Sequence, residues 1–128
     1  MTKLNQIYKC NICGNIVEVL HTGAGELVCC NKPMELMTEK KSDDGLEKHV
    51  PVIKKVNGGV KVSVGSVSHP MVKEHYIEWI ELIINSQVIR RELKADEKPE
   101  ATFKTSENEK DNIKARAYCN IHGLWSSK

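Results

Sequence analysis

Apolar positions along this chain fall in short runs, and the runs change character near residue 49. Residues 50–67, VPVIKKVNGGVKVSVGSV, place two stretches rich in valine and isoleucine on either side of Asn57-Gly58-Gly59. Such runs around an Asn-Gly pair predict an antiparallel hairpin, because Asn and Gly accept the positive φ that a tight turn requires. YIEWIELII (76–84) partly alternates. Ile77, Ile80 and Ile84 would also share a helix face, but the β-branched and aromatic content and the short length predict a strand. QVIRRELK, ATFKT and NIKARAYCN supply three further strands, separated by the charged, turn-like segments ADEKPE and SENEKDN. Six or seven short strands within 80–90 residues predict an all-β fold, an antiparallel β-sandwich over residues 49–128.

The first 37 residues read differently. YKCNICGNIVEVL, the glycine-containing HTGAGE and LVCCNKPMELM describe short strands joined by a turn. Fewer than forty residues bury too little apolar surface to fold unaided, so this segment needs a staple. TEKKSDDGLEK (38–48) is polar and aperiodic, and reads as a linker that runs directly into His49.

Composition narrows the function. With 19 basic and 17 acidic residues the net charge is only +2, which argues against a general nucleic-acid binder but leaves room for local steering of a small anion. The opening MTKLNQIYKC has no apolar stretch suited to a signal peptide, and no later segment approaches a membrane span. A cytoplasmic location is therefore expected, where thiols stay reduced. A single Phe means that Val, Ile and Leu must build any core.

The staple is a four-cysteine site. Cys10 and Cys13 form a Cys-x-x-Cys step, and Cys29 and Cys30 are adjacent fifteen residues later. Neighbouring side chains on an extended strand point to opposite faces, so bringing Cys29 and Cys30 to one ion requires a local twist and distorted angles. Four thiolates suit zinc and iron alike.

A second constellation lies in the later part of the chain. His49, His69, His75 and His122 each sit at a strand edge or in a loop, and loops at one end of a sandwich converge. Cys119 and His122 form a Cys-x-x-His chelating step. Five candidate donors exceed the four that satisfy a structural zinc, and imidazole suits iron and copper as well. A Cys-x-x-His step on a sandwich is also similar to blue-copper carriers. Those want an axial Met after the histidine, and HGLWSSK supplies none; Met71, like Met34 and Met37, reads as packing. His21, between the cysteine pairs, reads as an exposed turn residue.

Together these residues resemble the desulfoferrodoxins, two-iron superoxide reductases. YKCNICGNIVEVL and LVCC resemble the desulforedoxin-like N-terminal domain; EKHVPVI, VGSVSHPM, HYIEWIEL and YCNIHGLW resemble the catalytic domain shared with neelaredoxins. The resemblance implies an Fe(Cys)4 domain at 1–37, a linker and active-site loop at 38–48, and an immunoglobulin-like catalytic domain at 49–128. It implies one iron held by Cys10, Cys13, Cys29 and Cys30. A second would be held by His49, His69, His75 and His122 in a plane, with Cys119 axial and the sixth position open. Glu47 and Lys48 match loop residues beside that open face, Glu47 as a replaceable ligand and Lys48 as a local positive charge. It further implies one-electron reduction of superoxide to hydrogen peroxide, a rubredoxin-like electron donor and a homodimer. The alternatives are a non-catalytic iron electron-transfer protein and a zinc-stabilised interaction module.

Overall fold

The computed structural model describes residues 1–42, 48–110 and 112–127. The chain divides into two compact units, Met1–Thr38 and Glu39–Lys128. Among the described residues no helix is long and apolar enough to cross a membrane.

In the first unit β1 (Ile7–Lys9) is central, with β2 (Ile16–Glu18) on one side. A separate two-stranded ribbon pairs β3 (Val28–Cys29) with β4 (Lys32–Pro33), and β5 (Glu35–Leu36) closes the other side of β1. All these pairings are antiparallel. Only Ile7, Cys10 and Val19 among its apolar side chains are buried. That is the thin core expected of a segment that depends on a staple.

The second unit is a sandwich of two antiparallel sheets. One has the order β10–β7–β6, from β6 (Pro51–Val56), β7 (Gly59–Val64) and β10 (Glu100–Lys104). The other has the order β12–β11–β8–β9, from β8 (Ile77–Ile84), β9 (Gln87–Glu92), β11 (Ile113–Cys119) and β12 (Gly123–Ser126). The β6–β7 hairpin turns on Asn57 and Gly58, with Gly58 at φ +80 and Val56 opposite Gly59. Gly59 is needed for a second reason: a Cβ there would lie 2.0 Å from the Phe103 carbonyl oxygen on β10.

Alternation decides what each strand buries. Val60, Val62 and Val64 of β7 meet Ile80, Leu82 and Ile84 of β8 and Ala115, Ala117 and Cys119 of β11 in one core, which Phe103 helps to fill. Each fully buried Val, Ile or Leu contributes roughly 1.5–3 kcal/mol. The period-2 pattern of β11 thus places Cys119 on the inward face, at the end of the row begun by Ala115 and Ala117. The opposite face of β8 and β11 is also covered and carries charge. Glu81 is 0% and Arg116 3% exposed, and the guanidinium holds the carboxylate through Nη2 at 2.6 Å and Nε at 2.9 Å. Glu39 joins them, ion-paired with Lys114 and 3.5 Å from Arg116 Nη1.

Two elements differ from the sequence reading in detail. SENEKDN contains a 3-10 turn, Glu107–Glu109, closed by a capping box in which Ser106 and Glu109 satisfy each other's backbone N–H groups. GLWS forms β12, a strand that four residues of mixed character did not announce.

Candidate metal centres

In the first unit the thiol sulfurs of Cys10, Cys13, Cys29 and Cys30 lie within 4.8 Å of one another. Cys10 and Cys13 are brought together by the turn in which Gly14 N–H bonds to the Cys10 carbonyl at 3.0 Å. The adjacent pair is reconciled by backbone conformation: Cys30 and Asn31 adopt φ of 53 and 61, a left-handed turn just after β3. That turn cancels the strand's alternation and lets Cys30 face the same point as Cys29. The N–H groups of Cys13 and Ile12 point at the Cys10 sulfur and lower its pKa to about 6. Cys30 is pushed up to about 12, chiefly by the neighbouring Cys13 and Cys10 sulfurs. Four negative sulfurs cannot share this space without a cation; metal binding therefore releases protons and weakens as pH falls. His21 is exposed and outside the cluster.

The second cluster lies at one end of the sandwich, and the strand register explains why. Pro51 pairs with Val64, so the start of β6 and the end of β7 coincide; Ile77 pairs with Cys119, so the start of β8 meets the end of β11. His49 precedes β6, His69 and His75 lie between β7 and β8, and His122 is in the turn between β11 and β12. A register shift between Tyr118 and Cys119 marks a bulge on the way into the site. Asn120 ties the loops together: its Oδ1 accepts from Tyr76 N–H at 2.9 Å and its Nδ2 donates to the Glu74 carbonyl at 3.1 Å. Nothing in the sequence beyond its place in the Cys-x-x-His step points to that role.

Donor atoms of His49, His75, Cys119 and His122 lie within 4.8 Å of one another. His69 stands beside this set, its ring centroid 4.8 Å from that of His49 and 4.7 Å from that of His75. Its Nδ1 lies 2.6 Å from the Pro70 carbonyl, a contact that only an N–H can make, so the lone pair resides on Nε2. Burial pushes the His69 pKa down to about 4 and that of His75 downward, with His122, His49 and Lys48 adding to the effect at His75. Both rings are thus neutral donors. His69 Nε2 and His75 Nε2 are buried with no hydrogen-bond partner among the described residues, which is the arrangement a metal ion resolves. Cys119 is fully buried, and burial raises its thiol pKa against the opposing backbone N–H groups of His122 and Ile121. The His122 N–H donates to the Cys119 sulfur at 3.4 Å. A thiophilic dication such as ferrous iron, binding the thiolate, would offset that desolvation cost.

Trp125, which sequence reasoning passed over, stacks on His49 with centroids 4.6 Å apart and 17° between planes. Lys48 is described and half-buried beside the cluster, whereas Glu47 lies outside the described residues.

Residues 41–128 match the Desulfoferrodoxin family profile, and residues 2–37 match that of the Desulfoferrodoxin N-terminal domain. The chain belongs to the desulfoferrodoxin family. It is 56% identical to a desulfoferrodoxin homolog of Archaeoglobus fulgidus, covering 99% of each chain, and 54% identical to a desulfoferrodoxin of Nitratidesulfovibrio vulgaris, covering 96% of this chain and 95% of that one. Among solved structures, the superoxide reductase of Treponema pallidum superposes with a TM-score of 0.77 at 31% identity, covering 96% of this chain and 97% of that one. Desulfoferrodoxin chains carry two irons, and the four-sulfur and histidine–cysteine clusters have donor sets that fit them.

Replacing Cys13 with Ser is expected to abolish the absorbance of the first iron while leaving that of the second. Iron analysis with visible spectroscopy checks this: one iron per chain remains, and its spectrum is unaltered.

Proposed function

We propose that this chain is a superoxide reductase, converting superoxide to hydrogen peroxide with one electron and two protons. His49, His69, His75 and His122 with Cys119 are its catalytic iron ligands, and Cys10, Cys13, Cys29 and Cys30 hold a second iron in the N-terminal domain. The observation that carries the reading is the convergence of four donors within 4.8 Å at one end of the sandwich, with His69 beside them and the Nε2 atoms of His69 and His75 buried without a hydrogen-bond partner among the described residues. A ferrous ion bound there would supply the electron and one coordination position left for a small anion.

The surrounding side chains account for the rest. The imidazoles are neutral, so positive charge at the centre is not cancelled and attracts the anion. Lys48 adds to that field, and its charge already reaches His75. The buried Cys119 sulfur would bring one negative charge to a bound iron, and the His122 N–H that donates to it would moderate its donation. His122 is exposed, so among the described residues the cluster borders solvent, from which substrate and water would arrive. Water, Lys48 or Glu47 supplies the protons; the part played by Glu47 rests on family likeness.

An outside reductant must restore the electron, and a rubredoxin-like protein acting on a homodimer in the cytoplasm is the arrangement we favour. Free thiols held as metal donors suit such a reducing compartment. The deciding experiment follows superoxide loss with a reductant present while measuring peroxide and dioxygen. Peroxide without dioxygen is expected; no acceleration of superoxide loss by the iron-loaded protein would leave an electron carrier instead.

Replacing Lys48 with Ile is expected to slow the second-order reaction with superoxide several-fold at low ionic strength and to flatten its salt dependence. Pulse radiolysis or stopped-flow mixing over a salt series measures both. An unchanged rate at low salt removes Lys48 from the steering role.

A further inference from the structure

Lys40 belongs to a segment that reads in sequence as solvated charge, yet it is tied into the second unit by both backbone and side chain. Its N–H donates to the Leu124 carbonyl at 3.0 Å and its carbonyl accepts from Ser126 N–H at 2.8 Å, forming a parallel bridge to Trp125. Its ammonium donates to the His122 carbonyl at 2.9 Å and lies 5.2 Å from the centre of the Trp125 ring. The Trp125 indole N–H donates to the same His122 carbonyl at 3.2 Å, and the indole plane stacks on His49. One lysine and one tryptophan therefore brace two rings of the cluster, His122 through its main chain and His49 through its face.

We propose that Lys40 is a positioning residue for the histidine–cysteine centre, acting through Trp125 and the His122 carbonyl to hold the His49 and His122 rings in the orientation that binds iron. This rests on the reading that the second cluster holds iron. The physical case has three parts. An imidazole ligand can rotate about its side-chain bonds, and a ring that must be reoriented on binding costs affinity; outer contacts that hold it in place restore that affinity. The Lys40 ammonium and the indole N–H converge on one carbonyl, so the turn carrying His122 cannot shift without losing both bonds. The stacked Trp125 face limits rotation of His49, and the ammonium over the indole strengthens the stack's seating. Lys40 also places a positive charge close to the Cys119 turn, which favours the ferrous over the ferric state.

The test compares full-length wild type, Lys40→Met, Lys40→Arg and Trp125→Phe, each loaded with iron. Iron retention against a chelator, the thiolate-to-iron absorption band and the reduction potential of the second centre are read for each. The first centre's spectrum serves as the internal control. Lys40→Met is expected to lose about tenfold in iron retention at the second centre. Its band should shift and its potential fall, while the first centre stays unaltered. Lys40→Arg, which can still donate to the carbonyl and sit over the indole, should restore most of the wild-type values, and Trp125→Phe should fall between. Wild-type retention, band and potential in Lys40→Met would overturn the inference, as would Lys40→Arg behaving like Lys40→Met. A wild-type protein that takes up no iron at the second cluster overturns the superoxide reductase reading and this inference with it. A loaded centre indifferent to Lys40→Met overturns this inference alone.

Discussion

Cys119→Ser removes superoxide reduction altogether, with a loss of more than about 100-fold, beyond the 10–100-fold that outer-shell changes typically cost a metal site. The side chain is 0% exposed at the inward end of β11, and serine fits its volume, so the sandwich should persist. What changes is the donor. A serine hydroxyl is not ionised at neutral pH, and it leaves the centre with imidazoles alone and no thiolate charge. The thiolate-to-iron band should vanish with the activity while the four-sulfur iron keeps its colour. Absorption spectra, a peroxide assay and tryptophan fluorescence on one preparation separate these effects. The fluorescence reports only on the second unit, because both tryptophans, Trp79 and Trp125, lie there. Retained reduction by a folded, iron-loaded Cys119→Ser protein would show that the sulfur is not a ligand.

Arg116→Met should cost about 3–5 kcal/mol of stability, the second large effect. The substitution withdraws the guanidinium that grips Glu81 at 2.6 and 2.9 Å beneath a covered sheet face. The carboxylate stays where water cannot easily solvate it, and Arg90, 3.8 Å away and half-exposed, is a weak replacement. Replacing both members, with Glu81→Leu alongside Arg116→Met, should recover most of the loss, since a buried ion pair contributes little net stability over apolar side chains of similar size. Urea unfolding followed by tryptophan fluorescence measures the cycle. A single variant as stable as wild type would mean that the pair is solvated in solution.

How far the sequence reveals this molecule depends on which physical signal each part emits. The β6–β7 hairpin was legible because Asn57-Gly58 has few other uses between two valine-rich runs. Cys119 and His122 were legible because a chelating step needs both residue types at short spacing. The twist at Cys29-Cys30 followed from strand alternation, and Cys30 supplies it with a positive φ. β12 was not legible: its four residues hold too few apolar positions to show a period. Glu81 and Arg116 stand in sequence as ordinary outward charges, and only the pairing of β8 with β11 puts them opposite each other. Lys40 was hidden for the same reason, since its partners lie more than eighty residues away.

The histidine–cysteine cluster with His69 beside it, and the apolar core on which their loops stand, come from residues after Thr38. On the proposed reading, the second unit therefore carries its own metal donors and its own core without the cysteine-rich module. The one-iron superoxide reductase of Giardia intestinalis, 33% identical with a TM-score of 0.53, spans just 63% of the present chain.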